Sequence, residues 1–311
     1  MICLRVLVTP RSFGKSDPEV FQILKRAGFD LVLNTTGAVM TAQQLGEGLA
    51  DCDGIIVGID PLSKDVLAGA PRLRAIAKYG VGVDNIDLQV CREKGIKVSR
   101  TIGANTDAVA DFAFSLMMAV ARQVTLIDRQ CRQGDWSKLT TADVHGKTLG
   151  ILGLGAIGKA MARRARGFDM VLLGHDPVWD EDFAKACDVQ RSSAEAIYRQ
   201  ADFITLHMPL LPETQKMIGR EQLAMMKPSA ILINTARGGL IDEPALLDAL
   251  QNKRIYGAGI DAFAKEPPDD PAWYTLDHVV LGSHAAASTQ DAAFQMGRMA
   301  AANLIRDLTA P

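Results

Sequence analysis

The chain has 311 residues, of which 48% are hydrophobic and 23% charged, and its formal net charge at pH 7 is −2. This composition is typical of a globular protein, and the length exceeds the size at which one hydrophobic core keeps growing, so two domains are expected. The nearly neutral charge gives no reason to expect nucleic acid or an anionic membrane as a partner.

The cysteines and the N-terminal residues bear on the compartment. The five cysteines are scattered, without a C-x-x-C pair, which fits a reducing compartment and argues against a disulfide framework or a cysteine zinc site. The apolar run after Met1 is too short for a signal peptide and predicts a first buried strand. No segment approaches the roughly eighteen apolar residues of a membrane-spanning helix. We therefore expect a cytoplasmic protein without a metal centre.

The first third of the chain alternates short aliphatic runs with stretches of helical periodicity. This alternation predicts a parallel sheet with crossover helices. The region contains no G-x-G-x-x-G, so a Rossmann-like domain without the dinucleotide turn is expected. The predicted strands are Leu4–Thr9, Leu31–Asn34, Gly54–Val57, Leu73–Lys78 and Ile96–Val98, and the predicted helices are Pro18–Ala27, Thr41–Leu49, Lys64–Ala68 and Asn85–Lys94.

Two helices are predicted next. Asn105 can cap the first, in which apolar residues such as Val109 and Leu116 recur at steps of three and four. The second is predicted over Val124–Gln133 and ends at a glycine. The pair leads to the segment Thr148–Ala160, which predicts a strand, a glycine turn and the start of a helix.

Three glycines in this turn have the spacing of a dinucleotide site. The first allows the tight turn, the second lets the backbone approach a pyrophosphate, and the third lets the helix pack on its strand. The new helix would direct free backbone amides and its positive end at the phosphates. The glycines are Gly153, Gly155 and Gly158, and the first amides of the helix are those of Ala156 and Ile157.

An acidic residue ends the strand predicted after this helix. Asp176 lies 23 residues beyond Gly153, about where a carboxylate should bind the adenine ribose hydroxyls. No arginine or lysine follows it immediately, and Pro177 offers nothing to a 2′-phosphate. We therefore expect NAD rather than NADP.

The alternation continues to the end of the chain. The pattern predicts an α/β protein with two Rossmann-like, doubly wound parallel-sheet domains, of which the second binds the dinucleotide. It does not decide on which domain the last helix packs. The predicted strands are Phe203–His207, Ala230–Asn234, Gly257–Asp261 and Val279–Leu281, and the predicted helices are Ala194–Arg199, Arg220–Met225, Glu243–Gln251 and Ser288–Leu308.

Strand ends of the second half carry residues suited to moving a hydride and a proton. Arg237 follows such an end, where it can bind a carboxylate bidentately and polarise a carbonyl; a surface arginine in a turn is the alternative. His284 directly follows the last strand, and Glu266 stands before two prolines that keep it off a helix. A lone histidine is more often structural, but a carboxylate that orients its ring favours acid–base catalysis.

A loop of the first half also has a binding pattern. In Lys78–Asp84, a strand end is followed by two glycines, and the exposed amides can form an anion nest; a simple turn is the alternative. His207 also ends a strand and His175 lies beside Asp176, but no spacing to other ligands supports a metal site.

Taken together, these motifs resemble the D-isomer-specific 2-hydroxyacid dehydrogenases, the family that includes phosphoglycerate dehydrogenase, glyoxylate and hydroxypyruvate reductases and D-lactate dehydrogenase. The resemblance covers nearly the whole chain. It implies NAD-dependent interconversion of small 2-oxo and 2-hydroxy acids, in which His284, held by Glu266, transfers the proton. Arg237 would bind the substrate carboxylate and polarise the ketone.

The resemblance also implies the remaining site residues. The loop of the first half would bind the substrate carboxylate through its amides. The implied catalytic residues are Arg237, Glu266 and His284, and the implied substrate-binding residues are Tyr79, Val81, Gly82, Arg237 and His284. The implied cofactor-binding residues are Gly153, Gly155, Ala156, Ile157, Gly158, Asp176, His207, Thr235, Ala236 and Asp261.

The family implies a domain arrangement and a dimer. Residues 1–100 with 285–311 would form a discontinuous, flavodoxin-like substrate-binding domain, and residues 101–284 the NAD-binding Rossmann domain. The last helix would return to the first domain, and no regulatory domain is expected after it. The family commonly dimerises through the helix that follows Asn105, the next helix and the region of Trp136, so a homodimer is expected.

Two departures from the family pattern concern the substrate. Gly58–Asp60 stands where phosphoglycerate dehydrogenases usually carry an arginine–serine pair, and an acid there should disfavour a phosphate-bearing substrate. Arg100 stands where the family often has asparagine, and it could meet an anionic substrate tail or serve as a hinge salt-bridge partner. Phosphoglycerate dehydrogenase itself remains an alternative, as does a non-catalytic dinucleotide-sensing scaffold like the C-terminal-binding co-repressors. Formate dehydrogenase is less similar because it has glutamine where Glu266 stands.

Overall fold

The fold is described here from a computed structural model, which describes residues 4–309. The chain divides into two compact units, Met1–Asn105 with Ser288–Pro311 and Thr106–Ala287. Cys3, one of the five cysteines that are expected to be free in a reducing compartment, lies outside the described residues. Both units are α/β structures with parallel sheets, which confirms the predicted fold class.

The first unit is built on a five-stranded parallel sheet of order β2-β1-β3-β4-β5, the order of a flavodoxin-like fold. Because helices cover both faces of such a sheet, its strands are nearly continuous aliphatic runs. The elements are β1 (Leu4–Val8), α1 (Glu19–Arg26), β2 (Phe29–Leu33), α2 (Ala42–Leu49), β3 (Gly54–Val57), α3 (Lys64–Ala68), β4 (Ala75–Lys78), α4 (Leu88–Glu93) and β5 (Lys97–Arg100).

Side-chain caps set the starts of α2, α3 and α4 in this unit. The α2 helix begins after Thr41, whose hydroxyl accepts a hydrogen bond from the Gln44 amide at 3.3 Å. The α4 helix begins at Leu88 because the Asp87 carboxylate accepts a hydrogen bond from the Val90 amide at 3.0 Å. The predicted start at Asn85 was therefore three residues too early.

The second unit is built on a seven-stranded parallel sheet of order β12-β11-β10-β9-β6-β7-β8, which is the doubly wound Rossmann order with one more strand. Its core strands are fully buried, whereas β8 lies at the edge. The elements are α5 (Thr106–Ala121), α6 (Val124–Arg132), β6 (Thr148–Leu152), α7 (Ala156–Arg166), β7 (Val171–His175), α8 (Glu181–Cys187), β8 (Val189–Arg191), α9 (Ala194–Gln200), β9 (Phe203–Leu206), α10 (Arg220–Met225), β10 (Ile231–Asn234), α11 (Glu243–Gln251), β11 (Gly257–Ile260) and β12 (Val279–Leu281).

The C-terminal helix, α12 (Gln290–Thr309), packs on the first unit. It covers one face of the sheet over β3, β4 and β5. Leu304 and Leu308 fill the space above Gly54, where a Cβ atom would lie 2.9 Å from a Leu308 methyl carbon. The Arg298 guanidinium also bonds to the Asp17 carboxylate at 2.7 Å. The last helix therefore packs on the first unit, a question that the periodicity of its sequence did not decide.

The start of α5 differs from the expectation. The side-chain oxygen of Asn105 is buried without a hydrogen-bond partner, so the predicted cap is not formed. The chain instead enters α5 through a turn in which the Ala104 amide donates to the Thr101 carbonyl at 3.3 Å.

Within residues 4–309, no single helix is long and apolar enough to cross a bilayer. The helices α5 and α6 taken together are long and apolar enough, but only by length and composition, and the two helices are bent by 61° relative to each other.

Candidate active site

The carboxyl ends of the second unit's strands bring most of the predicted site residues to one edge. The strand order reverses between β6 and β9, and a ligand crevice is expected at such a switch point. The glycine turn follows β6, and His207 follows β9. Asp176 lies on one side of this point, after β7. Arg237, Asp261 and His284 lie on the other side, after β10, β11 and β12.

The glycine turn has the shape that a pyrophosphate requires. Gly153 has a φ of 96°, and a Cβ atom there would lie 2.6 Å from the His207 carbonyl oxygen. At Gly158 a Cβ atom would overlap the Gly153 carbonyl, whereas at Gly155 it would meet nothing within 4 Å. The Ala156 and Ile157 amides, at the start of α7, donate to no protein group among the described residues. These features fit a dinucleotide whose phosphates rest on α7.

Asp176 closes the turn from the next strand. Its carboxylate accepts hydrogen bonds from the Leu154 amide at 2.7 Å and from the Val178 amide at 2.8 Å. It lines an open cavity of about 390 Å³ that also contains Arg191. A carboxylate has further lone pairs beyond these two bonds, so it can still accept ribose hydroxyls.

Asn234 clamps the loop that carries Arg237. The Asn234 side chain, fully buried, donates to the Arg237 carbonyl at 2.8 Å and accepts from the Ala236 amide at 3.0 Å. Gly238 packs directly on the backbone of Phe263, because a Cβ atom there would overlap that residue's carbonyl group. The arginine loop and the loop that leads to Glu266 are therefore in contact. The nearby Thr235 hydroxyl is buried without a hydrogen-bond partner.

His284 and Glu266 form a hydrogen-bonded pair. Nδ1 of His284 lies 2.8 Å from one carboxylate oxygen of Glu266 and 3.0 Å from the other. The Phe263 amide donates to the same carboxylate at 3.1 Å, which fixes its orientation. Both side chains remain partly exposed, at 43% and 39%. Since Glu266 accepts at Nδ1, Nε2 of the ring is left for another partner.

Asp261 holds the loop on which His284 stands. Its buried carboxylate accepts the Ala285 amide at 2.9 Å and the Ala286 amide at 3.0 Å, and its carbonyl accepts the His284 amide at 2.9 Å. His284 itself has a φ of 57°, in the left-handed region. A Cβ atom at Gly282 would overlap the Asp261 carboxylate, so only glycine allows this close approach.

Among the ionisable groups close to these strand ends, His207 and Glu243 have perturbed pKa values. Burial lowers the pKa of His207 to about 3, and its ring nitrogen lies 2.8 Å from the Thr205 hydroxyl. Burial, and secondarily the charge of Glu266, raises the pKa of Glu243, although its hydrogen bond from the Ala264 amide at 2.6 Å opposes the shift. Sequence reasoning missed Glu243, because it stands at a helix start in no recognised spacing.

The loop after β4 belongs to the first unit and is described by itself. The amides of Val81 and Gly82 donate to no protein group within residues 4–309. Tyr79, in contrast, is buried: its amide donates to the Val57 carbonyl at 2.9 Å and its hydroxyl to the Ala293 carbonyl at 3.2 Å. Burial raises the pKa of that phenol. Tyr79 therefore supports the loop, and the two free amides remain for a ligand.

The position of Asp60 changes an argument made from the sequence. The carboxylate is 3% exposed and accepts hydrogen bonds from the Thr9 hydroxyl and, at 2.8 Å, from the Met40 amide. It faces into the first unit and joins its loops. The expectation that Asp60 disfavours a phosphate-bearing substrate therefore loses the exposed carboxylate on which it rested.

The described residues contain no group of three or more histidine, cysteine or acidic side chains that could hold a metal ion. Cys52, Cys91, Cys131 and Cys187 are free.

Comparison with known proteins identifies the family. A family model described as the NAD binding domain of D-isomer specific 2-hydroxyacid dehydrogenases matches residues 114–286. The chain is 44% identical over 286 residues to a glyoxylate reductase of Korarchaeum cryptofilum, across 89% of this chain and 86% of that one. The chain belongs to the D-isomer specific 2-hydroxyacid dehydrogenase family. The resemblance seen in the motifs is thereby confirmed.

Other members of the family extend the comparison. The chain is 40% identical to a D-3-phosphoglycerate dehydrogenase of Methanocaldococcus jannaschii, over 84% of this chain and 51% of that one. The crystal structure of a glyoxylate reductase from Paecilomyes thermophila is similar with a TM-score of 0.89 at 28% identity, covering 100% of this chain and 97% of that one. As a family member, the protein is an NAD-dependent oxidoreductase that acts on the CH–OH group of 2-hydroxy acids.

Proposed function

We propose that the protein reduces a small 2-oxo acid with NADH and, in reverse, oxidises the D-2-hydroxy acid, with His284 as the acid and base. The observation that carries this proposal is the pair of contacts between His284 Nδ1 and the Glu266 carboxylate, at 2.8 and 3.0 Å. A histidine held in this way presents Nε2 in a fixed direction, as proton transfer to a carbonyl oxygen requires.

Bound NAD(H) would supply or accept the hydride at its nicotinamide ring. His284 donates the proton from Nε2 to the substrate oxygen during reduction and takes it back during oxidation. Glu266 keeps the proton on Nδ1 and stabilises the imidazolium, because an ionised carboxylate only accepts hydrogen bonds. The chain would hold the cofactor through the glycine turn, Asp176, His207, Thr235, Ala236 and Asp261.

Arg237 is proposed to bind the substrate carboxylate and to polarise the ketone. Its planar guanidinium can donate two parallel hydrogen bonds, and its loop is fixed by Asn234. The free amides of Val81 and Gly82 are proposed as further carboxylate donors. In this proposal residues 1–100 with 285–311 bind the substrate and residues 101–284 bind NAD.

The test is the replacement His284→Ala, assayed by NADH oxidation with glyoxylate, hydroxypyruvate and pyruvate. We expect kcat to fall by about 10²- to 10⁴-fold, the usual contribution of a general acid–base residue. His145→Ala is the matched control, because His145 also pairs with a carboxylate, that of Asp169 at 3.0 Å, but on the exposed surface. Near wild-type turnover of His284→Ala would overturn the assignment.

Phosphoglycerate dehydrogenase activity is the second candidate. It is favoured by the 40% identity to a D-3-phosphoglycerate dehydrogenase and by the burial of Asp60, which removes the sequence argument against a phosphate. Comparing kcat/KM for phosphohydroxypyruvate with kcat/KM for glyoxylate and hydroxypyruvate decides between the candidates.

We also propose a cytoplasmic homodimer. No residue of α6 is buried within the chain, and Val124 and Trp136 are 55% and 80% exposed, which leaves two large apolar side chains for a two-fold contact. The four cysteines within residues 4–309 are free, which suits a reducing compartment. A monomer in sedimentation at micromolar concentration would contradict the dimer.

A further inference from the structure

The carboxyl ends of β4 and β5 place two cations side by side next to the loop of free amides. Lys78 and Arg100 are register partners in the parallel pair, so their side chains leave the sheet on the same face. The residue after Arg100, Thr101, bonds to Gly80 in both directions: its hydroxyl accepts the Gly80 amide at 2.9 Å, and its amide donates to the Gly80 carbonyl at 3.0 Å. The backbone that follows Arg100 is therefore anchored to Gly80, the residue before Val81.

The two cations differ in their surroundings. Lys78 is 6% exposed, and its ammonium donates to the Gly58 carbonyl at 2.5 Å and to the Asn85 side chain at 2.8 Å. It thus ties the loop after β3 to the loop after β4. The Arg100 side chain is exposed and forms no ion pair within the described part of the chain, while its backbone carbonyl accepts a hydrogen bond from the Asn303 side chain at 3.1 Å. The salt-bridge alternative for Arg100 is not observed.

The other charges at this edge leave Arg100 available to an anion. Asp60 is buried, and its carboxylate is occupied by the Thr9 hydroxyl and the Met40 amide. Asp84 is exposed within the loop itself. Arg11, which follows β1, adds a third cation, with its guanidinium 3.4 Å from the Gly37 carbonyl. Arginine is suited to this position because its planar fork matches carboxylate, sulfonate and phosphate groups.

We propose that Arg100 is a specificity-determining residue that selects 2-oxo acids carrying a second anionic group. The first carboxylate of such a substrate would bind the amides of Val81 and Gly82, and the anionic tail would bind the Arg100 guanidinium. This inference rests on the proposed function, since it assigns a substrate class to the same site.

The experiment measures kcat/KM with NADH for two classes of substrate. Glyoxylate and pyruvate carry one anionic group; 2-oxoglutarate, sulfopyruvate and phosphohydroxypyruvate carry a second, as carboxylate, sulfonate and phosphate respectively. The variants are Arg100→Met, which keeps the length of the side chain, and Arg100→Lys, which keeps the charge. Lys97→Met is the matched control, because Lys97 is an exposed cation at the other end of the same strand.

We expect the wild type to prefer at least one substrate of the second class, and the preferred member identifies the tail. Arg100→Met should raise KM for that substrate by about 10- to 100-fold, the loss of a charge-assisted hydrogen bond, with kcat nearly unchanged. Arg100→Lys should recover part of the loss. Lys97→Met should leave KM unchanged, and KM for the substrates with one anionic group should not change in any of the variants.

Three results would overturn the inference. These are a wild-type preference for glyoxylate or pyruvate, an equal loss with both classes in Arg100→Met, or no loss with either. If no 2-oxo acid is turned over at all, the proposed function fails and the inference fails with it. If instead the inference alone fails, 2-oxo acids are still turned over, so one set of assays distinguishes the two failures.

Discussion

The loop that carries His284 should depend on the carboxylate of Asp261, and Asp261→Asn tests this dependence. The substitution keeps the size of the side chain but turns one carboxylate oxygen into an NH₂ group, which then faces a backbone amide. In the native protein the two oxygens accept the Ala285 and Ala286 amides at 2.9 and 3.0 Å, and the side chain is 1% exposed. One buried amide would lose its acceptor.

The size of the effect follows from these contacts. A hydrogen bond to a charged group contributes about 1.5–3 kcal/mol, and a buried donor left unpaired costs about 1–3 kcal/mol, so a total near 3 kcal/mol is expected. For a unit of this length, each kcal/mol lowers the melting temperature by about 2–4 °C, which gives a shift of about 6–12 °C. Since the Ala285 and Ala286 amides that the carboxylate holds directly follow His284, the ring should lose its position and kcat should fall by about 10- to 100-fold.

Thermal unfolding of the cofactor-free protein and steady-state kinetics measure both effects. Asp269→Asn is the control, because Asp269 is an exposed acid paired with Lys265 at 2.7 Å and should change stability by less than about 0.5 kcal/mol. If Asp261 acted only by touching the cofactor, the melting temperature of the cofactor-free protein would stay unchanged while KM for NADH rose. That result would refute the reasoning.

Further substitutions test the other parts of the site. Glu266→Gln makes the bond to His284 neutral and should lower kcat about tenfold, a modest loss because both side chains are partly exposed; unchanged kcat would exclude the orienting role. Asp176→Ala removes the proposed ribose acceptor, so KM for NADH should rise about tenfold and the NADPH to NADH preference should increase, and a constant preference would contradict the NAD assignment. Gly153→Ala adds a Cβ atom 2.6 Å from the His207 carbonyl at a φ of 96°, so NADH binding measured by fluorescence titration should be lost; normal binding would show that the turn can relax. Burial lowers the pKa of His207 to about 3, so below about pH 6.5 the unfolded chain binds a proton that the folded chain does not, and stability falls as the pH falls through this window, by up to about 1.4 kcal/mol per unit. Urea unfolding at pH 7 and pH 5 should show a smaller difference for His207→Asn than for the wild type, and an equal difference would argue against a buried neutral ring.

Elements buried on both faces were the most predictable from sequence. The strand Gly54–Val57 was predicted with the bounds that the structure has, because a continuous aliphatic run between turns that is too short for a helix fits a buried strand. The edge strand Val189–Arg191 and the helix Glu181–Cys187 before it were missed. That strand has only one buried residue, and the helix is short and highly charged, so neither produces a periodic signal.

Side-chain direction was the least predictable feature of the candidate site. The sequence indicates that Asp60 follows a strand, but the side chain can turn outward to a ligand or inward to its neighbours. Thr9 and Met40, which hold the carboxylate inward, are far from it in the sequence. Likewise, 18 residues separate Glu266 from His284, and only the packing of neighbouring strand ends brings them together. The motifs identify residue types, whereas contacts between distant segments determine their orientation.

The left-handed backbone of His284 restricts which residues can replace it. At a φ of 57°, asparagine and glycine are tolerated with little strain, whereas a β-branched side chain would be strongly disfavoured. A relative that loses the reaction but keeps the fold would therefore be expected to carry asparagine or glycine at this position rather than valine or threonine. The residue that replaces the histidine after loss of activity would then be determined by the backbone conformation and not by the chemistry of the reaction.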